Sequence, residues 1–192
     1  MSLVDKIVAA VTPPESDAAR AEARAKAKAV AGANDWLALV LHHHVQIEQA
    51  FAAVKDAREP NQRLAAQKRL GLILMGHSIA EEAVLYPGLV QADEQGHAEM
   101  AYAEQAAAKT QMAELESLSP MTQEYVDKLE HIRGAVAHHV YEEEGTWFLE
   151  LKSKLTEAQQ ARLTQRYIEE FDRYVGQDLA WEESRRPSRT GA

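Results

Sequence analysis

The 192-residue chain has no cysteine, so disulfides, thiolate-bound metals and iron–sulfur clusters are excluded. A transition metal would have to be held by His, Asp, Glu or Tyr, a ligand set that suits iron, manganese or zinc. Proline (six) and glycine (nine) are scarce and fall mostly at apparent boundaries. Long stretches rich in Ala and Glu are left uninterrupted, which favours helix, and no stretch reads as a strand. No apolar run is long enough to cross a bilayer. The N-terminal residues lack the basic start and apolar run of a secretory signal, so a cytoplasmic protein with no membrane partner is expected. Positive charge is also short: 21 Lys and Arg against 30 Asp and Glu give a net charge of −9, which argues against a nucleic-acid partner. What is present is an ordinary globular composition, 46% hydrophobic and 27% charged, in a chain long enough for one sizeable core.

Residues 1–34 read as an N-terminal helical extension. Residues 1–11 suit a short amphipathic helix stopped by Pro13-Pro14. Ser16 or Asp17 then caps an Ala-, Arg-, Lys- and Glu-rich helix that Gly32-Ala33-Asn34 breaks. Its apolar content is nearly all Ala, so it is expected on the surface, with the basic 20–28 face solvated. Four longer helices are expected over 35–155, at about 35–58, 60–86, 93–118 and 119–155. The second should stop before Pro87-Gly88, and the fourth should open at Ser119-Pro120. A C-terminal helix over 156–183 begins with the capping box Thr156-x-x-Gln159, and 184–192 is expected to be a disordered tail. The predicted fold is all-α: an up-down-up-down four-helix bundle with extra N-terminal and C-terminal helices.

One segment occurs twice. His77-Ser-Ile-Ala-Glu81-Glu82-Ala-Val-Leu-Tyr86 is echoed sixty-two residues on by His139-Val-Tyr-Glu-Glu143-Glu144-Gly-Thr-Trp-Phe148. Residues i and i+4 share a helix face, so each copy aims an imidazole and a carboxylate at one point. His77, Glu81, His139 and Glu143 lie in the apolar seams of their helices, as does His44. Burying such groups costs several kcal/mol uncompensated, and a divalent cation would compensate it. Counting from the turns places His44 level with His77. The residue of the third helix that lands opposite His77 is Gln105, while His97 falls about 12 Å away along the axis. His138/Glu142 is a rival register, but its heptad neighbours make a weaker seam, so it is read as outward-facing.

At His43-His44-x-x-Ile47, His77-x-x-x-Glu81-Glu82-x-x-Leu85-Tyr86-Pro87 and His139-x-x-x-Glu143-Glu144 the chain resembles the hemerythrin-like, or HHE cation-binding, family. The resemblance spans about residues 35–155. It implies a four-helix bundle around one or two non-haem iron ions, with manganese or zinc as substitutes. It also implies a small-molecule partner: O2, NO or peroxide, bound or sensed, or iron itself. By the resemblance, His44, His77, Glu81, His139 and Glu143 match ligand positions, with Glu144 the alternative to Glu143. Glu81 and Glu143 are the bridging candidates. Glu48, four residues after His44, is a minor candidate, and Glu82 and Glu144 are candidate partners of ligand imidazoles. The departure is in the third helix, where the family places His and this chain has Gln105. A centre short of one imidazole is therefore expected, completed by Tyr102 or His97 if by anything. Besides a binding or sensing protein, a ferritin-like di-iron oxidase or peroxidase fits, as does a helical interaction module with a vestigial site.

Overall fold

Helix α1 (Asp17–Val30) opens the computed structural model, which describes residues 15–176. The Ser16 hydroxyl caps it by accepting from Ala19 N. Asn34 then turns the chain at φ 59°, a left-handed conformation that Asn tolerates better than most residues. Asp35 follows as the cap of α2 (Trp36–Asp56), accepting from Ala38 N at 2.9 Å. Helix α3 runs Pro60–Ala80, passes through a π-helical turn at Glu81–Leu85, and ends with Tyr86–Gln91. Helix α4 is Gln95–Glu116. Helix α5 runs Gln123–Glu142, a second π turn at Glu143–Trp147, and Phe148–Lys154. Helix α6, Glu157–Phe171 with a closing π turn at Asp172–Gly176, starts with the expected Thr156–Gln159 capping box. No strand occurs among the described residues.

Two expected boundaries moved. The helix does not stop before Pro87. Tyr86 N donates to Glu81 O, five residues back, and this slip puts Pro87 in the first turn of a new segment, where its missing N–H does no harm. Nor does α5 start at Ser119-Pro120. Thr122 is the cap: its hydroxyl donates to Ser119 O at 2.8 Å and accepts from Tyr125 N at 3.3 Å, closing a turn before the helix begins. The helix expected over 1–11 and the tail at 184–192 lie outside the described residues.

Helices α2 to α5 form the bundle, with α2 packed on α3 and on α5, and α4 packed on α5. Helix α1 lies against α2 and the π turn of α5, and α6 lies across α2 and α3. Helix α1 is thus less solvated than its composition suggested: Ala23 and Ala27 are buried, and Arg24 reaches inward. Helix α6 seats closely on α3. A Cβ at Gly76 would fall 1.9 Å from Val175 Cγ2, so only glycine permits this approach.

Two apolar clusters fill the interior. One gathers Trp36, Tyr86, Trp147, Phe148 and Tyr167; the other gathers Ile47, Phe51, Leu70, Leu129 and Ile132. Trp36 meets Phe148 edge-on with centroids 5.6 Å apart, a geometry worth about 0.5–1.5 kcal/mol beyond burial. Along α2 the first cluster ends at Leu41 and the second begins at Ile47, and His44 lies between them.

Candidate metal centre

A polar layer separates the two clusters. His44, His77, Glu81 and Glu143 are all buried and bring ligand atoms within 4.8 Å of one another. Glu81 turns Oε1 toward His44 Nε2 at 3.9 Å and Oε2 toward His77 Nε2 at 3.2 Å. Glu143 turns Oε2 toward the same His44 Nε2 at 3.2 Å and Oε1 toward His139 Nε2 at 3.2 Å. Each carboxylate therefore faces two imidazoles from different helices, and Glu143 spans from His44 to His139, the disposition a bridging ligand needs.

Both π turns begin at these glutamates, Glu81 and Glu143. The repeat in the sequence is thus a repeat in the backbone, and bulges of this kind concentrate at functional sites. Nine residues after each His the two copies differ: Tyr86 in one, Phe148 in the other, both fully buried. The Tyr86 hydroxyl donates toward Glu143 Oε1 at 3.0 Å and Glu81 Oε2 at 3.3 Å, and lies 3.1 Å from His139 Nε2. Gln105 Nε2 donates to the Tyr86 oxygen at 2.5 Å and to Glu81 Oε2 at 2.7 Å.

All three imidazoles turn Nε2 inward because Nδ1 is engaged outside. His44 Nδ1 donates to Glu144 at 2.8 Å, and His139 Nδ1 donates to Glu104 at 2.8 Å. His77 Nδ1 lies 3.0 Å from the Tyr167 hydroxyl, which lies 2.9 Å from His43 Nδ1. Phe171 stacks on His43 at 3.8 Å. The outer helices supply part of this layer: Tyr167 comes from α6, and Arg24 of α1 donates to both Glu144 oxygens at 3.0 Å. Such outer partners orient metal ligands, and losing one typically weakens binding about 10–100-fold. Tyr167→Phe should do so in competition against a chromogenic chelator, while Tyr102→Phe should not; equal affinities would remove Tyr167 from the centre.

Charge is unevenly placed. Burial opposes a charged His44, but contacts with Glu143 and Glu144 outweigh it and hold its pKa up at about 9. His139 is likewise pushed well up against burial, by Glu143 and Glu104. Glu143 is held below the usual carboxylate range despite its burial, chiefly by His139 and then His44. Glu81 goes the other way: burial and the neighbouring Glu143 raise it well above that range. Four buried atoms in the layer lack a hydrogen-bond partner: His44 Nε2, Glu81 Oε1, Glu143 Oε2 and Gln105 Oε1. Unpaired buried polar atoms are rare in folded proteins. Atoms that converge in this way and are acceptors in their ligating forms fit a cation.

The five ligand candidates thus come together, with Gln105 opposite them as the register required and Glu144 behind His44. The other candidates do not join them. Glu48 is exposed and pairs with Arg24 at 2.7 Å. Glu82 faces Lys109 at 2.6 Å, not an imidazole, because its neighbour Glu81 has taken the inward position. Tyr102 is half-exposed and donates to Glu82 O at 2.8 Å. His97 sits two turns from Gln105, 3.3 Å from both Glu94 and Glu150, with its ring stacked on Trp147. His138 does face outward, toward Glu15. Helical periodicity in the sequence gives no sign of Tyr86, Glu104 or Tyr167 as partners of these imidazoles and carboxylates, and Arg24 was expected on a solvated face. The available signal was the offset shared by Tyr86 and Phe148 in the two repeats.

A helical bundle with a buried His/Glu cluster at its middle is a candidate cation-binding fold. The profile of the hemerythrin HHE cation-binding domain matches residues 35–151, and the chain belongs to that family. The fold is similar to the crystal structure of a hemerythrin HHE cation-binding domain-containing protein from Mycobacterium kansasii. The TM-score is 0.66 at 22% identity, covering 79% of this chain and 93% of that one. A protein named DNA nickase from Nostoc sp. is 28% identical over 131 residues, 67% of this chain. The chain spans only 35% of that relative's length.

Proposed function

We propose that this chain binds non-haem iron at the middle of the bundle and uses it to bind or process a small oxidant, O2, peroxide or NO. The observation that carries the reading is the convergence of three inward Nε2 atoms on two carboxylates that each face two imidazoles. His44, His77 and His139 would hold the ion or ions, and Glu81 and Glu143 would bridge a pair. Bound iron would supply an electron-transferring Lewis acid with room for a small ligand. The chain's own residues fix that chemistry in place. Glu144, Glu104 and Tyr167 hold the imidazole tautomers, and the apolar clusters on either side keep bulk water out. Manganese or zinc suits the same donors.

Metal analysis of protein made with ample iron tests this: at least one ion per chain is expected, and His77→Ala and His139→Ala should each lose metal. Far less than one ion in the wild-type chain would sink the reading and favour a vestigial site, in which case chelation would leave the melting temperature unmoved. Tyr86 and Gln105, standing where an imidazole is missing, favour a second reading over a simple oxygen carrier: a di-iron oxidase or peroxidase. Stopped-flow mixing of the ferrous protein with H2O2 separates the two, since only an enzyme turns over. The nicking activity named for the Nostoc relative does not extend to this reading, because the match reaches a third of that protein and a net charge of −9 repels DNA.

A further inference from the structure

The geometry points to a second cation site, apart from the buried centre: Glu94, His97 and Glu150 hold a divalent transition-metal ion at the start of α4, with water completing its shell. The site shares no residue with the central layer and does not rest on the reading above. His97 Nδ1 lies 3.3 Å from Glu94 Oε2 and 3.3 Å from Glu150 Oε2. It makes no hydrogen bond to either, and both His97 Nδ1 and Glu150 Oε2 are enclosed atoms without a partner. One ligand atom from each of the three residues falls within 4.8 Å of the others. An N–H aimed along a line at a carboxylate would bring the pair to about 2.9 Å. Ligand atoms about 2.0–2.2 Å from an ion in a tetrahedral shell are instead about 3.4 Å apart. The observed separations are those of donors turned toward a common point.

Fixed neighbours set all three side chains. The chain leaves α3 through Asp93, at φ 64°, and Glu94 N donates back to Leu89 O at 2.9 Å. Glu94 precedes α4 without capping it, so its carboxylate is left for other partners. Lys154 takes Oε1 and also donates to Ala92 O at 2.9 Å, which leaves Oε2 facing His97. The His97 ring lies flat on Trp147 at 5.9 Å, and this stack fixes the direction of Nδ1. Trp147 is buried and meets His139 at 5.7 Å, so one indole backs both sites. Glu15, His138 and Glu142 form a cluster of the same composition. There His138 Nδ1 is already paired with Glu15 Oε1 at 2.6 Å, so its nitrogen is spent. One imidazole with two carboxylates suits Mn2+, Fe2+ or Zn2+, and the imidazole disfavours Ca2+ and Mg2+, which take oxygen. All three residues are partly exposed, and Lys154 offsets one of the two carboxylate charges. An ion held there exchanges with solution.

Mn2+ is the probe, because it stands lowest in the affinity order of these ions and does not displace iron. It is titrated into the full-length, iron-loaded protein, and the free aqua ion is followed by electron paramagnetic resonance. His97→Gln should remove one Mn2+ per chain, together with the nitrogen modulation that this ion contributes to the spin echo. Glu150→Gln should weaken the same ion at least tenfold, and Glu142→Gln should leave it unchanged. Unaltered iron content in each variant shows that the fold and the centre are kept. Mn2+ binding that neither His97→Gln nor Glu150→Gln changes overturns the site. So does a His97-dependent ion whose echo carries no nitrogen modulation, because the imidazole would then act only through packing. A chain that holds no iron would sink the central reading, and the same titration of the metal-free protein would still decide this one.

Discussion

Glu143→Ala destabilises the metal-free protein by about 3–5 kcal/mol, the usual consequence of removing one partner from a buried ion pair, whereas Glu81→Gln costs about 1 kcal/mol or less. The two glutamates are equally buried and occupy equivalent places in the two repeats. They differ in what their neighbours do to their charge. Glu143 lies between His139 and His44, both held in their charged forms, and is itself ionised. Alanine there would leave two imidazolium groups in a layer closed to water above and below. Glu81 is pushed toward its neutral form by burial and by Glu143. Its Oε2 accepts from Gln105 and Tyr86, and a glutamine carbonyl can accept both. Urea unfolding of chelator-treated protein reads the difference directly. With metal present the distinction should collapse: each variant removes one of the two proposed bridging carboxylates, and both should lose most of the metal-induced rise in melting temperature. Equal losses of stability in the metal-free state would show that the charge asymmetry is wrong.

The same contrast shows what could be seen in advance. A polar residue at a seam position is visible from periodicity alone, so the sequence itself places His44, His77, Glu81, His139 and Glu143 on inward faces. Counting from the Arg58–Pro60 turn put His44 level with His77, and the T-shaped ring contact at 4.9 Å agrees. What periodicity cannot supply is a change of period. A π turn shifts every later residue on its helix by about 100° relative to an unbroken α-helix. Tyr86 is therefore hidden as a partner of the two carboxylates, and Pro87 reads as a stop. Long-range partners were equally hidden. Arg24 and Tyr167 lie outside residues 35–151, on helices whose docking depends on Ala23, Ala27 and the notch at Gly76. Nothing in an Ala-rich, charge-alternating segment signals that one of its arginines ends on the carboxylate behind a metal-ligand candidate. His97 erred in the opposite direction: its type was right, but two turns of α4 put it in a separate cluster with Glu94 and Glu150.

Raising the pH above about 6.5 should loosen the metal-free protein and strengthen its hold on a cation. The His44 pKa is raised in the folded chain to about 9, from the 6.5 of a free imidazole. A raised pKa means the folded state holds the proton more strongly. The stabilisation is therefore complete below pH 6.5 and is lost as pH climbs through 9, about 3 kcal/mol for a shift of this size. His139 and Glu81, also raised, act in the same direction. His43 and His77 act oppositely. Burial lowers His77 well below 6.5 and His43 to about 3, so their contribution disappears as pH falls below 6.5. Glu143, lowered, adds to the loss only at still lower pH. Metal-free protein should therefore be most stable near pH 6.5 and weaken on either side. A cation competes with the protons on His44 and His139 for the same nitrogens, so binding releases protons and strengthens with pH over the range in which the empty centre weakens. The metal-induced rise in melting temperature should grow steadily between about pH 6.5 and pH 9, and calorimetric binding heats in buffers of different ionisation enthalpy should report protons released. A metal-induced rise that stays constant over this range would mean that these imidazoles carry no proton on Nε2 in the metal-free chain.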